Sequence, residues 1–417
     1  MIDHPTFSTS RWWRLIPIVF ITYSLAYLDR ANFGFGMAGG MQKDLAISGD
    51  QSSLLSSLFF LGYFIFQIPG VYAAIRSARK LIFWSLLLWG ALAAATGIVT
   101  NFHWLMLIRF LLGVIEGAIF PSMLVLLSRW FVRSERSRAN SLLIFGNPVT
   151  IIWMSITSGY LIHSLGWRWM FILEGIPAVA WAFCWLYLVE DEPRKALWIP
   201  PHESAALQAA LREEQHGIPP VRNFFAACRS PAVWMLCLIY ALWSLGVYGF
   251  VLWLPSILLH APKLDIIGIG WLSAIPYFLA IIAMMTASWF SDSSGNRKSA
   301  VWPFLLLGAV SFYFSWLFGP NHFWLAFTLL CLAGLSMYAP YGPFFAFITE
   351  ILPSNVAGGA IALINSFGAL GAFAGTYYVG VLSSTTGNFH SAYILMSAAL
   401  LLAALLAITL HSKPRPR

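Results

Sequence analysis

The chain has 417 residues, 59% of them hydrophobic and 10% charged, where a soluble protein carries roughly 25% charged residues. So little polar surface excludes a soluble globule and leaves an integral membrane protein. The formal charge of +8 does not point to nucleic acid, because the basic residues fall in short clusters between apolar runs and not in one block with interleaved aromatics.

A helix needs about 20 apolar residues to cross the hydrocarbon core. In chain order, the apolar runs predict spans at 15–40, 51–74, 80–99, 103–130, 138–163 and 168–189. A second set follows at 231–259, 268–292, 299–318, 322–350, 355–383 and 388–410. Arg11 and Arg14 precede the first run, as in a signal peptide, but that run is too long and shows no small-residue cleavage site. It reads as an uncleaved first span. The pattern predicts an all-α membrane protein of twelve transmembrane helices in two six-helix bundles. Residues 1–189 and 231–417 form the bundles, and 190–230 forms a polar linker holding "EDEPRK", "IPPHES" and "LREEQHGIPP". A short amphipathic helix is expected in it around Glu203 to Gln215.

Of the 24 Lys and Arg residues, 19 fall in one set of connections and 3 (Lys43, Arg168, Lys263) in the opposite set; Arg30 and Arg109 lie inside spans. Cytoplasmic loops carry the cations, so both termini and the linker are expected in the cytoplasm. The halves also look related. "FGNPV" at 145 and "FGALG" at 367 begin similarly, and Gly159/Gly166 and Gly380/Gly387 are each seven apart. Arg79-Lys80 and Arg297-Lys298 follow the second span of each half, at an offset of about 220 residues. Internal duplication of this kind marks transporters.

Two spans carry charge near mid-depth, where an ionised side chain costs about 3 kcal/mol or more and is usually functional. The first holds Asp29 and Arg30, and the fourth holds Arg109 and Glu116. A spacing of seven is two helical turns, which puts Arg109 and Glu116 on one face about 10 Å apart. Gly113 lies between them and leaves room for a neighbour. If the first and fourth helices meet, two acids and two bases gather and their formal charges cancel. Such a cluster either pins helices together or works. Its working form is an anion site at Arg30, with Arg109 as a second candidate, beside an acid, Asp29 or Glu116, that takes a proton. A buried carboxylate keeps its charge only while a cation or hydrogen bonds hold it. A substrate carboxylate that occupies the arginine therefore helps the acid to protonate.

Asn147 and Asn365 are mid-span amides at similar places in the fifth and eleventh spans, suited either to a helix-to-helix hydrogen bond or to a substrate. Tyr63, Tyr248, Tyr338 and Tyr341 lie in spans and serve either packing or a cavity. Trp12, Trp13, Trp104, Trp130, Trp167 and Trp169 sit at span ends and read as interface anchors. His103, His163, His260, His322 and His390 fall near span ends and read as solvated or interfacial. The four cysteines form no CxxC or ligand-spaced pair with His, which gives no metal or disulfide framework. No G-x-S-x-G, H-E-x-x-H or Walker A sequence is present, so neither an enzyme nor an ATP-driven pump is expected, and no cofactor is implied.

The twelve spans and the loop "SDSSGNRK" resemble the major facilitator superfamily. The resemblance implies a gating role for Asp292, Gly295 and Arg297 in that loop. The matching loop "GVYAAIRSARK" keeps only its Arg-Lys end, with Ala74 about where an acid belongs. More closely, "YLDRANFGF", "LGYFIFQIPG", "RFLLGVIEGAIFPSMLVLLSRWF", "GWRWMFILEG" and "VYGFVLWLP" look like the anion:cation symporter family. That family includes bacterial permeases for galactonate, glucarate, hexuronates, tartrate and rhamnonate. It implies protonation at Asp29 and Glu116, substrate carboxylate at Arg30, and substrate contact from Tyr63, Asn147 and Asn365. The tenth span, "YAPYGPFFAF", is short of hydroxyls, which keeps aromatic and short-chain acids open beside sugar acids.

The expected function is proton-coupled symport of a small organic anion by alternating access, in a bacterial inner membrane, by a monomer whose partners are its carboxylate, protons and the lipid bilayer. An antiporter or exporter of the same fold is the alternative within transport. A transport-dead membrane sensor or a membrane-bound binding protein is the alternative from another class.

Overall fold

In hydrocarbon every backbone N–H and C=O must be satisfied within its own segment, so apolar runs of this length fold as helices. The computed structural model describes residues 9–216, 229–259, 264–319, 322–351 and 354–410. The residues 1–8, Cys228, His260, Lys263 and the last seven residues lie outside that set. The described residues contain no strand.

The spans, in order, are α1 Ser10–Gly36; α2 and α3, the arms 49–76 and 78–98 of one helix Gly49–Ile98 that breaks at Ser77 (φ −160°); α4 Phe102–Trp130, α5 Arg138–Leu165 and α6 Trp167–Leu188. The second half repeats the set: α7 Pro231–Leu258, α8 Ile266–Ser294, α9 Trp302–Phe318, α10 Phe323–Ile348, α11 Ser354–Thr386 and α12 His390–Thr409. Between the halves, the expected linker helix runs over Pro201–His216. Polar residues cap the entries: Ser48 and Gln51 form a reciprocal capping box at α2, and Asp265 accepts from the Gly268 N–H at α8. Each side chain replaces a partner that the first turn of a helix lacks.

Packing repeats between the halves. α1 packs on α5 and α6, and α7 packs on α11 and α12. α2 crosses α4 through Gly62 and Gly113; a Cβ added at Gly113 would sit 1.8 Å from the Phe59 carbonyl oxygen. α7 crosses α11 at Gly371, where an added Cβ would lie 2.0 Å from the Ala241 carbonyl oxygen. Only glycine lets the two backbones come this close. α1 is buried on nearly all sides from Tyr23 to Gly36, and α7 from Gly249 to Pro255. By contrast, α3, α6, α9 and α12 expose large apolar residues, among them Leu88, Phe183, Tyr313 and Leu405. Such an outward apolar belt suits a bilayer and not water.

The halves meet closely at the end that holds the α1–α2 connection. Gly49 abuts Ser384, and Gly380 abuts Ser53, which joins α2 to α11. The Ser384 hydroxyl donates to Asp50 at 2.7 Å. Gly270 of α8 lies against the Ser155 carbonyl of α5, and Gly159 against Ile266.

Trp13, Trp104 and Trp169 are exposed at span ends, as anchors should be. Trp130 and Trp167 are not anchors. Trp130 is fully buried, donates to the Glu190 carbonyl at 3.0 Å and stacks on Trp198. Trp167 is buried and donates to Asp44 at 2.8 Å. A satisfied indole N–H makes the interior tolerable for both. His103, His163, His322 and His390 are exposed.

Candidate functional site

Asp29 and Arg30 are neighbours in sequence, and a helix turns about 100° per residue, so they address different partners. Arg30 Nη2 lies 3.2 Å from Glu116 Oε2, and Arg109 Nη1 lies 3.5 Å from Asp29 Oδ2. The two charges of α4 therefore pair not with each other but each with one charge of α1. The exposures are 1% for Asp29, 6% for Arg30, 0% for Arg109 and 1% for Glu116. The Phe59 ring stands between the pairs, 5.4 Å from the Arg30 guanidinium carbon and 5.2 Å from that of Arg109. Both contacts are cation–π in range. Neither oxygen of Asp29 receives a hydrogen bond, nor does Glu116 Oε1. Two balanced but thinly bonded ion pairs in a dry place are poor glue, since apolar packing of the same volume is often as stable.

The two pairs differ in access. Arg30 faces a central cavity between the halves, whereas Arg109 is shut away behind Phe33, whose ring centroid is 4.1 Å from its guanidinium carbon. Tyr23, Tyr63, Phe120 and Asn147 of the first half line the same cavity as Arg30. Tyr240, Tyr248, Tyr341, Phe345 and Asn365 line it from the second half. Arg30 also donates to the Tyr248 hydroxyl at 3.5 Å, a weak link across the halves. Asn147 and Asn365 thus reach one cavity from opposite sides, and no hydrogen bond satisfies the Asn147 amide oxygen. Tyr338 does not line it; its hydroxyl lies 3.5 Å from that of Tyr27.

Two groups of residues escaped the sequence reading. Tyr23 and Tyr240 line the cavity, yet each sits in a sequence run that is apolar on every face, where no periodicity separates a cavity face from a packed one. Glu174 in "GWRWMFILEG" is a further buried acid, 6% exposed. It accepts from Ser158 Oγ of α5 at 2.6 Å and from Asn32 Nδ2 of α1 at 2.8 Å. Among the described residues no cation is within ion-pair distance of it. The available signal was an acid inside an apolar run with no Lys or Arg three or four residues away.

In the α8–α9 loop, Gly295 takes φ +65°, a left-handed turn that ends α8 and suits glycine. Arg297 donates back to Ser291 Oγ at 3.1 Å. Asp292 lies in α8, and its side chain is outside the described set. In the matching α2–α3 bend, the carboxylate absent at Ala74 comes from the linker. Asp191 accepts from Ser77 Oγ at 2.5 Å and from the Arg79 N–H at 2.9 Å, and pairs with Arg129 at 3.4 Å. Arg79 adds a pair with Glu190 at 3.0 Å.

Compared with known proteins, the chain matches the Major Facilitator Superfamily over residues 19–376 and 257–417. A putative tartrate transporter from Agrobacterium vitis is 31% identical over 97% of this chain and 91% of that protein. A quinolone resistance transporter from Acinetobacter baumannii is 29% identical over 96% of this chain and 94% of that protein. The xylose transporter XylE from E. coli, solved in an inward open conformation, has a TM-score of 0.73 at 17% identity, covering 95% of this chain and 96% of that one.

Proposed function

We propose that this chain, which belongs to the Major Facilitator Superfamily, is a proton-coupled importer of a small organic anion, a sugar acid or another carboxylate. Membership of that family makes it a transporter and not an enzyme. The observation that carries the rest is Arg30: it is the one cation among the described residues lining the central cavity, and its other side is held by Glu116 at 3.2 Å. The tartrate transporter named above supports a carboxylate cargo.

A planar guanidinium binds a carboxylate with two parallel hydrogen bonds. When the substrate takes Arg30, Glu116 loses its counter-charge in a water-poor place and accepts a proton. Asp29 and Arg109 form a second exchangeable pair behind the first. Asn147 and Asn365 hold the polar part of the substrate between the halves, and Tyr63 backs Arg30 with its ring 4.7 Å away. Residues 1–189 and 231–417 move as two bodies about this site, with 190–230 as their tether, and substrate sits near mid-depth. With both termini in the cytoplasm, the closed α2–α11 and α5–α8 contacts face outward and the cavity is served from within. Asp292, Gly295 and Arg297 latch the inner end in the opposite state, and Asp191 does so for the first half. Export or antiport is the second reading, favoured by the quinolone resistance relative.

Thermal unfolding in detergent with tartrate, galactonate and 4-hydroxybenzoate tests the anchor. At least one acid raises the melting temperature of the native protein. Arg30→Lys keeps its unliganded melting temperature but binds at least tenfold more weakly, because an ammonium cannot reproduce the bidentate fork. Unchanged affinity in Arg30→Lys contradicts the assignment.

A further inference from the structure

The central cavity has two adjoining lobes that share Arg30, Tyr63, Tyr240, Tyr248 and Asn365. Their walls are mostly ring faces and edges. In the first half Tyr23 and Phe120 lie 5.6 Å apart, centroid to centroid. In the second half Tyr240 meets Phe345 edge-on at 5.6 Å and Tyr341 edge-on at 6.4 Å. Tyr248 of the second half closes on Phe60 of the first at 4.7 Å. Rings from both halves therefore line one cavity together with Arg30. No carboxylate, lysine or histidine is among the described lining residues. Apart from tyrosine hydroxyls, the uncharged hydrogen-bonding side chains are Asn147, Asn365 and Ser244.

We infer that the preferred cargo is an aromatic carboxylate: a flat ring bearing one carboxylate and a hydrogen-bonding substituent. This rests on the reading of Arg30 as the carboxylate anchor. A flat ring bound among these aromatic side chains gains offset-stacked and edge-to-face contacts with rings of both halves. A polyhydroxylated acid has the opposite requirement. Each of its hydroxyls must be matched in the closed site, because an unmatched buried hydroxyl is penalised. Two amides, one serine and the tyrosine hydroxyls match such groups only at the ring edges, and the aromatic faces that make up most of the wall match none. One amide from each half suits a single ring substituent held between them, since an amide both donates and accepts.

The test is binding to the purified full chain by calorimetry, with 4-hydroxybenzoate, its neutral amide 4-hydroxybenzamide, tartrate and galactonate as probes. Two variants, Phe345→Leu and Phe120→Leu, each remove one aromatic wall and keep an apolar side chain; retention of the unliganded melting temperature shows that they fold. The expected result is at least tenfold tighter binding of 4-hydroxybenzoate than of either aliphatic acid. 4-Hydroxybenzoate binding should weaken threefold or more in at least one folded variant, and by a larger factor than tartrate binding does. If tartrate or galactonate binds as tightly as 4-hydroxybenzoate, or if neither folded variant affects 4-hydroxybenzoate, the aromatic preference is wrong while the carboxylate anchor stands. If 4-hydroxybenzamide binds as well as its acid, or no acid binds at all, the anchor itself is wrong and the inference falls with it.

Discussion

Among single residues, Glu174 gives the sharpest contrast between shape and charge. It joins α1 to α5 through Asn32 and Ser158, and α5 is one of the helices that close the halves together. Glu174→Gln keeps its length and both contacts. Asn32 Oδ1 lacks a partner, and an amide flip of Asn32 offers that oxygen to the new Nε2. Glu174→Ala instead strands two buried polar groups, at about 1–3 kcal/mol each. Thermal unfolding should place the Gln variant near the native protein and the Ala variant well below it; equal losses in both would show that the hydrogen bonds are unimportant. Asn147 and Asn365 answer a different question. Losing one hydrogen bond to substrate costs about 0.5–1.5 kcal/mol, or up to about 3 with a charged partner. Asn→Ala at either position should weaken binding by roughly threefold to a hundredfold and leave proton coupling intact, as measured by uptake at two pH values. Unchanged binding in both variants would mean that the amides only tie helices. The four membrane charges were legible in the sequence because they interrupt two long apolar runs. Their partners were not, because pairing depends on the rotation of α1 against α4, which no single segment encodes.

Among elements, the α2–α4 crossing sets the site. Gly113 brings the backbone of α4 against Phe59, and this places Glu116 within reach of α1. Gly113→Ala forces a Cβ into the Phe59 carbonyl, where the contact would be 1.8 Å. Overpacking of this kind costs about 1–3 kcal/mol, and it also pulls Glu116 from Arg30. Melting temperature and carboxylate affinity should therefore fall together; loss of stability with unchanged affinity would separate the crossing from the site. The twelve spans could be read from apolar run length alone, and α5 and α12 agree with the expected 138–163 and 388–410 within two residues. The α2–α3 bend could not. Its loop sequence lacks the acid of the matching loop, and Asp191, far away in sequence, supplies it. A contact across 114 residues leaves no local signal. The buried Trp130 and Trp167 were misread as anchors for the same reason: a tryptophan at a span end looks alike in sequence whether its N–H meets lipid headgroups or a protein acceptor.

For the whole molecule, the duplicated architecture means that one central cavity is walled by matching helices, so Asn147 of α5 and Asn365 of α11 face each other across it. Their similar places in the two halves made that legible. Under the proposed orientation, which rests on Lys and Arg placement, the tight α2–α11 contact belongs to the outer gate. In the proposed mechanism the substrate carboxylate takes Arg30 and the proton takes the acid that is released, with Asp29–Arg109 as the second pair, so each promotes the binding of the other. The most direct measurement of this coupling is uptake of labelled tartrate and 4-hydroxybenzoate into liposomes carrying the purified protein, with and without an acid-outside pH gradient, for the native chain, Asp29→Asn and Glu116→Gln. The native protein should accumulate substrate along the gradient, neither variant should, and at least one of them should retain counterflow exchange of substrate. Accumulation that still follows the imposed gradient in both variants would contradict the mechanism.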